Sequence, residues 1–180
     1  MGNSNSKQAL IGWVKTLLFA VLVAFLVRTF IFSPYIVDGA SMEPTLHNNE
    51  KIFVYKFKSF NDFNRGDIVI IKEKEENYVK RIIAFPGDEI EMKNDELIIN
   101  GKFVHESYLS ENRKTAKALG SRLTGDFGPL TVPDGHLFVM GDNRLFSKDS
   151  RNGLGFIQQD NIVGKSEFVF FPFENFRNVK

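Results

Sequence analysis

The hydrophobic residues follow one pattern at the N-terminus and another in the rest of the chain. Residues 16–27, TLLFAVLVAFLV, carry no charge, and the wider stretch Leu10–Phe32 has only Lys15 and Arg28 as charged residues. A helix of that length extends roughly 34 Å, which is enough to cross a bilayer. Both cations lie toward its ends, where long side chains can reach the headgroups. We therefore predict a transmembrane helix over residues 10–32.

Two other interpretations fit part of the same pattern. A buried core helix would need a domain around it, whereas the remaining chain is patterned as strands. A cleaved signal peptide would end in a small-residue site, and Gly39–Ser41 lies far beyond the apolar segment. A retained span is therefore favoured. Lys7 and Lys15 precede the uncharged segment 16–27 without an acidic residue, which favours a cytoplasmic location for residues 1–9, although Arg28 weakens this bias.

After the span, apolar residues occur in short runs rich in Val, Ile and Phe and separated by Gly, Pro, Asn and Asp, a pattern typical of strands. Asn100-Gly101, between LII and KFV, predicts a two-residue hairpin. The polar stretch Ser110–Pro129 predicts a surface excursion, with a short helix around Lys114–Leu119. We expect residues 33–180 to form one mainly β domain. The predicted strands are Tyr35–Asp38, Lys51–Lys56, Asp67–Ile71, Tyr78–Phe85, Glu89–Met92, Leu97–Ile99, Lys102–Val104, His136–Met140 and Ser166–Phe171.

Composition narrows the possible functions. The 180 residues carry a net charge of +1, so no field of one sign is available to gather nucleic acid. Cysteine is absent, which excludes disulfides, thiolate-bound metals and a thiol nucleophile. The three histidines lack the spacing of a metal site. We therefore expect no metal, no other cofactor and no nucleic-acid partner. The histidines are His47, His105 and His136.

The segment DGASMEPT contains the first candidate for chemistry, Ser41. Gly39 gives the backbone freedom just before this serine, and Pro44 stiffens it just after. A serine on such a turn can present its hydroxyl and its own N–H in a fixed geometry. The alternative is that Ser41 only caps or forms a turn, and the octapeptide alone favours this alternative.

The predicted strand YVKRIIAF places one cation on each of two apolar faces. Burying a charge is costly, and Arg81 cannot lose its proton, so it needs a partner. Burial could instead lower the pKa of Lys80 from about 10.4 to about 8, which would make it a neutral proton acceptor. The alternative is an ordinary edge strand with a solvent-reaching lysine. The face of Lys80 would also carry Tyr78, Ile82 and Ala84, and that of Arg81 would carry Val79, Ile83 and Phe85.

Three further segments have distinctive compositions. Residues 140–153 place hydroxyls, acids and arginines on a loop bounded by glycine, which suits a supporting hydrogen-bond network or, equally, a solvated loop. Arg65–Val69 predicts a turn that leads into a strand. The Phe-rich segment Phe168–Phe176 predicts a core strand in preference to a membrane-contact surface.

Taken together, these segments resemble bacterial type I signal peptidases in their compact Gram-positive form. The resemblance extends from Trp13 to about Phe171. The four motifs follow a membrane span in the family's order, which makes the match specific. They are SMEPT at Ser41–Thr45, RGDIV at Arg65–Val69, KRIIAFPGD at Lys80–Asp88 and GDNRLFSKDSRNGLG at Gly141–Gly155.

The resemblance implies a signal-peptidase/LexA-like β-fold domain carrying a serine peptidase with a Ser/Lys dyad. Ser41 matches the family's nucleophile and Lys80 its general base. Ser147 matches the serine that orients the lysine. Some family members place an oxyanion-binding serine where this chain has Gly39, so a backbone donor must serve here. The residues that match the remaining support positions are Arg81, Asp142, Asp149 and Arg151, with Arg81 and Asp142 expected to pair.

The resemblance also implies the substrate and the location. Signal peptides of exported preproteins would be cut after small residues in Ala-X-Ala sites, by an extracytoplasmic domain held at the bilayer near the translocation machinery. An extended peptide would add between the strands around residues 35–39 and 78–84. LexA-like autopeptidases share the dyad but lack the span, and an inactive binding paralogue would lack Ser41 or Lys80. The candidate pocket residues are Tyr35, Val37, Met42 and Val79. The alternative is that these four are ordinary core residues.

Overall fold

A computed structural model describes residues 3–30, 32–56, 63–73 and 76–179 of the chain. The chain divides into two compact units, Met1–Ser33 and Pro34–Lys180. The first contains the helix α1, Asn3–Phe30, which begins earlier than the predicted span and ends before it. Its apolar part, Gln8–Thr29, has a mean hydropathy of 2.4 and is long and apolar enough to cross a membrane.

The second unit is built mainly from short strands, with one further helix, α2, at Ser110–Ala118. The abundance of β-branched and aromatic residues favours this extended structure. The strands are β1 Phe32–Ile36, β2 Lys51–Tyr55, β3 Ile68–Glu73, β4 Glu76–Ala84, β5 Glu89–Lys93, β6 Glu96–Ile99, β7 Lys102–Val104, β8 Phe127–Thr131, β9 His136–Met140, β10 Ile157–Gln158, β11 Ile162–Phe171 and β12 Arg177–Asn178.

Two sheets share these strands. The main sheet has the order β1-β2-β11-β3-β4-β9-β10, and β12 also pairs with β11. The second sheet, β7-β6-β5-β8, is an insertion between β4 and β9, which are neighbours in the main sheet. Helix α2 lies within the same insertion, between β7 and β8. The insertion therefore leaves the main sheet at the end of β4 and returns to it beside the same strand.

The main sheet is covered on both faces, as β3 illustrates. Ile68 and Ile70 of this strand pack in one apolar cluster, and Val69 and Ile71 pack in another. All four side chains are almost completely buried, because alternate residues of a strand face opposite sides. A third cluster, which includes residues of β4, β5, β6 and β9, lies between the two sheets. The two cations of β4, Lys80 and Arg81, are thus held in the interior of the domain.

Most of the predicted strands are confirmed, and so is the hairpin. β6 and β7 are joined by Asn100-Gly101, and both residues have the positive φ that this turn requires. The predicted helix is present but begins four residues earlier, at Ser110. The sequence analysis missed β8, β10 and β12. β8 contains Gly128 and Pro129, which had indicated a loop. Gly128 lies so close to the β5 backbone that a Cβ would collide with it.

Two expectations about side-chain positions are wrong. A β-bulge between Ile82 and Ala84 makes Ala84 pack with Ile83 between the sheets, so it does not share the face of Lys80. The Phe-rich segment was expected to be core, but within residues 168–176 only Val169 is fully buried and most of the rings are exposed. The exposed rings are Phe168, Phe171, Phe173 and Phe176.

Replacement of Ser166 should test whether its buried hydroxyl costs stability. Its Oγ makes no hydrogen bond within the described residues, although the side chain is only 2% exposed. We expect Ser166→Ala to leave the free energy of unfolding unchanged or to raise it by up to about 1 kcal/mol, measured by urea denaturation.

Ser150→Ala is the matched control for this substitution. The Ser150 Oγ accepts a hydrogen bond from the Val139 N–H at 2.9 Å, so its loss leaves a buried donor unpaired. This variant should lose about 1–3 kcal/mol. Equal losses from both variants would mean that the Ser166 hydroxyl does contribute to stability.

Candidate active site

Ser41 lies on a turn that follows β1. The turn begins at Gly39, whose φ of +90° lies in the region that glycine adopts most readily. The Glu43 N–H donates to the Ala40 carbonyl, and the Leu46 N–H to the Met42 carbonyl. The Gly39 N–H is already bound, since it donates to Asn48 Oδ1 at 2.9 Å. The turn thus holds Ser41 half-buried, and its N–H makes no hydrogen bond within the described residues.

Lys80 reaches this serine from β4. Its Nζ lies 2.7 Å from Ser41 Oγ, and its side chain is only 2% exposed. Burial lowers the pKa of Lys80 to about 8, against the opposing charges of Asp149 and Asp142. Arg151 adds to the lowering. A value of this size is what the sequence predicts for a buried lysine on this strand.

Arg81, the next residue of β4, has the partner that its burial requires. Its Nε and Nη2 donate to the two carboxylate oxygens of Asp142 at 2.9 and 2.6 Å, a bidentate pair with both side chains almost fully buried. Its Nη1 donates to the Gly66 carbonyl, and its guanidinium lies 4.0 Å from the centre of the Tyr108 ring. The expected Arg81–Asp142 pair is confirmed.

The loop after β9 contains a second buried pair. Arg151 donates through Nε and Nη2 to Asp149 at 2.8 and 2.7 Å, and Asp149 also accepts the Gly141 N–H at 3.0 Å. Burial alone would raise the pKa of Asp149, but the Arg151 guanidinium together with the Gly141 N–H outweighs this effect and keeps the pKa below its usual range. Asp149 is therefore ionised, and its charge is balanced by Arg151.

Ser147 is buried in the same loop, directly over Gly141. A Cβ on Gly141 would collide with the Ser147 hydroxyl and with the carbonyl oxygen of Ser41. The Ser147 Oγ makes no hydrogen bond with any described residue, Lys80 included. It lies close enough to the Asp149 carboxylate to lower the pKa of that group, but the geometry is not that of a formed hydrogen bond. The bond to Lys80 that the resemblance implied is thus not formed here, and an orienting role for Ser147 stays a prediction.

A cleft of about 80 Å³ opens beside Ser41 and Lys80. Its walls come from β1 and the following turn on one side and from β3 and β4 on the other. Gly39 is not among the lining residues. Two of the lining residues, Val37 and Met42, also belong to the apolar core. These two residues therefore fit both the predicted pocket position and the alternative core position. The candidates that line the cleft are Tyr35, Val37, Met42 and Val79.

Comparison with known proteins identifies the family. A profile of "Signal peptidase, peptidase S26" matches residues 10–171. The signal peptidase I of Bacillus licheniformis is 57% identical over 178 residues, covering 97% of this chain and 96% of that protein. The chain belongs to the signal peptidase family. Signal peptidase I S of Bacillus subtilis (strain 168) is 54% identical over 177 residues, covering 97% of this chain and 96% of that protein.

A solved structure supports the same conclusion. The crystal structure of a signal peptidase I from Enterococcus faecalis V583 has a TM-score of 0.54 and 34% sequence identity, and the match covers 59% of this chain and 98% of that one. The resemblance to Gram-positive type I signal peptidases and the mainly β fold with an N-terminal apolar helix are therefore confirmed. The chain is a serine peptidase of this family.

Several residues around Ser41 and Lys80 were not predicted from the sequence. The Asn143 N–H and Nδ2 donate to the carbonyls of Ser41 and Ala40, both at 3.0 Å. The buried Arg144 pairs with Glu106 and donates through Nε to the Gly141 carbonyl. Asn143 and Arg144 had a signal only as members of the loop motif at Gly141–Gly155. A lone glutamate such as Glu106 has no pattern that would indicate a buried partner.

Truncation of Asp142 should test the Arg81–Asp142 pair. Asp142→Ala would leave the Arg81 guanidinium buried without its counter-charge, and we expect a loss of about 3–5 kcal/mol in the free energy of unfolding. The control is Glu111→Ala, which removes an exposed pair with Lys114 and should cost less than about 0.5 kcal/mol. Urea denaturation measures both. A loss for Asp142→Ala no larger than the control's would contradict the pairing as a buried stabilising contact.

Proposed function

We propose that Ser41 is the nucleophile and Lys80 the general base of this signal-peptide-cleaving serine peptidase. The observation that supports this proposal is the 2.7 Å contact between the Nζ of the buried Lys80 and the Oγ of the half-buried Ser41. A general base must lie within hydrogen-bond reach of the proton that it accepts. Its pKa must also lie near the working pH, and burial lowers that of Lys80 to about 8.

The neutral amine of Lys80 accepts the proton of the Ser41 hydroxyl as Oγ attacks the scissile carbonyl carbon. The carbonyl oxygen then carries the negative charge of the tetrahedral intermediate. Collapse of this intermediate breaks the C–N bond of the scissile peptide, and the lysine ammonium donates its proton to the leaving amine. Water attacks the resulting ester by the same route, with Lys80 again taking a proton and returning it to Oγ. The signal peptide leaves with a free carboxyl end.

The oxyanion needs a donor near Ser41. Because the Gly39 N–H already donates to Asn48, the backbone donor at hand is the Ser41 N–H itself. A backbone N–H held on a fixed turn is suited to this task, since it need not reorganise as the charge develops. Gly39 then contributes through its conformation.

Two strands that flank the cleft have free edges for an extended substrate. β1 is the terminal strand of the main sheet. β9 pairs with β4 only from Arg81 onward, so the described residues of β4 that precede Arg81 have no strand partner on the β9 side. A signal peptide would add there by main-chain hydrogen bonds, with alternate side chains entering the cleft. A cleft of about 80 Å³ suits small side chains, in agreement with Ala-X-Ala sites.

The two arginines and two carboxylates beside the dyad are proposed to act as positioning groups. Arg81 with Asp142 and Arg151 with Asp149 form neutral pairs. This pairing reduces the stabilisation that either carboxylate would give to a charged Lys80. The loop that carries Asp142, Asp149 and Arg151 also contains Ser147, for which we propose an orienting contact with Lys80 during the reaction.

The N-terminal helix would anchor the enzyme in the membrane. Gln8–Thr29 is long and apolar enough to span, and Lys7 and Lys15 favour a cytoplasmic N-terminus. We propose a cytoplasmic segment over residues 1–9, a span over residues 10–32 and an extracytoplasmic catalytic domain over residues 33–180. This single-pass arrangement in the bacterial cell membrane places the active site where preproteins leave the translocation machinery.

Incubation of the detergent-solubilised full chain with a preprotein, followed by mass spectrometry of the products, tests the proposed function. We expect one cut after an Ala-X-Ala sequence and no cut by Ser41→Ala. Cleavage by Ser41→Ala at near wild-type rate, or a cut unrelated to small residues, would contradict it.

Lys80→Arg should separate a base from a fixed cation. Arginine keeps the charge but stays protonated, since its pKa lies above about 12. We expect this variant to be as inactive as Lys80→Ala. The wild-type kcat/KM on a soluble peptide should rise with pH through about 8, as Lys80 loses its proton. Turnover within about tenfold of wild type, which is roughly 1.4 kcal/mol in the barrier, would rule out Lys80 as the base.

Ser147→Ala should impair the enzyme without abolishing activity. Supporting groups in metal sites commonly contribute about 10–100-fold, and we take that scale as an analogy. A pH–rate profile that matches wild type in height and shape would remove Ser147 from the mechanism.

A further inference from the structure

The insertion between β4 and β9 reaches the active site through α2. Asn112 lies in the first turn of this helix and is half-buried. Its Nδ2 donates one hydrogen bond to the Glu43 carbonyl at 2.9 Å and another to the Asp142 carbonyl at 2.8 Å. One amide nitrogen therefore uses both of its hydrogens to join two loops that are 99 residues apart in the chain.

Each of these loops is linked to one member of the proposed Ser41–Lys80 pair. Glu43 follows Ser41 by two residues on the same turn. Asp142 binds Arg81, which directly follows Lys80 on β4. The distance between Oγ and Nζ therefore depends on how the two loops are placed relative to each other.

Other contacts between the same loops come from the loops themselves. Asn143 donates to the carbonyls of Ser41 and Ala40, and the Thr45 hydroxyl donates to the Asp142 carboxylate. Asn112 differs because it approaches from a third element. That element is held in place by the buried Glu106–Arg144 pair and by a small apolar cluster. The cluster consists of Leu109, Ala116 and Leu123.

We propose that Asn112 is a positioning residue of this peptidase, which fixes the nucleophile turn against the loop that supports the base. The inference rests on the proposed Ser41–Lys80 dyad. Loss of the amide would leave the Glu43 carbonyl without its donor and the Asp142 carbonyl with only the Arg144 N–H, and it would remove the only described tie from α2 to both loops. A displacement of about 1 Å between reacting groups can cost about 10²-fold in rate.

The test compares Asn112→Leu and Asn112→Asp with a matched control, Asn161→Leu. Both Asn112 variants are close in shape to asparagine but lack its donors, and the aspartate also turns a negative charge toward two carbonyl oxygens. Asn161 lies between β10 and β11, and its amide donates a single hydrogen bond to Glu73. Asn161→Leu therefore removes an amide donor elsewhere in the domain.

The full-length proteins in detergent are assayed with a soluble peptide that contains an Ala-X-Ala site, and their melting temperatures are recorded. We expect both Asn112 variants to lose about 10–100-fold in kcat with KM changed by less than about threefold, and the aspartate to be at least as impaired as the leucine. Asn161→Leu should stay within about threefold of wild type in both constants.

Two results would overturn the proposal. One is a kcat for both Asn112 variants within about threefold of the Asn161 control. The other is a loss of kcat that matches the lost fraction of folded protein, as measured by melting. If Asn112→Leu does not fold, the nearly isosteric Asn112→Asp decides the question. Ser41→Ala and Lys80→Ala are run in parallel, because activity in either would mean that the dyad has failed rather than the role of Asn112.

Discussion

The buried amine of Lys80 is the constraint on which the site depends. An ammonium in this position would need a counter-charge, and the described residues place no carboxylate in direct ion-pair contact with it. Asp142 and Asp149 are near enough to raise its pKa, yet each is held by an arginine of its own. The outcome is a lysine whose pKa falls to about 8, because burial outweighs the raising effect of these two carboxylates.

The two adjacent cations of β4 lie in different surroundings, which favour a different charge state for each. Consecutive residues of a strand face opposite sides of the sheet, so Lys80 and Arg81 enter different surroundings. Arg81 meets Asp142 and the Tyr108 ring, and a guanidinium stays charged in such a site. Lys80 meets a serine hydroxyl and apolar walls, where a neutral amine is favoured. One strand thus supplies both the proposed base and the fixed charge that neutralises a nearby carboxylate.

The sequence predicted what depends on local pattern. The strands, the Asn100-Gly101 hairpin and the need of Arg81 for a partner follow from periodicity, turn chemistry and the cost of burying charge. The contributions of Glu106, Tyr108 and Asn112 could not be predicted in this way. Each is a single polar residue without periodic context, and its contacts depend on how the insertion folds back.

Two errors have the same physical origin. The bulge that redirects Ala84 and the surface position of the Phe-rich segment both depend on strand pairing, which alternation along one strand does not specify. Conversely, the motif around Ser41 was ambiguous by itself. The contact with Lys80, 39 residues later, distinguishes this serine from an ordinary turn residue.

The most direct test of the account is a titration of Lys80 in the wild-type enzyme by NMR, with the side-chain amine labelled and its signal assigned by its absence in Lys80→Met. The account predicts a pKa of about 8, well below the ordinary lysine value of 10.5, so that a substantial fraction is neutral in mildly alkaline solution. A pKa near 10.5 would mean that Lys80 remains an ammonium under working conditions, and it would contradict the role of this lysine as the base that activates Ser41.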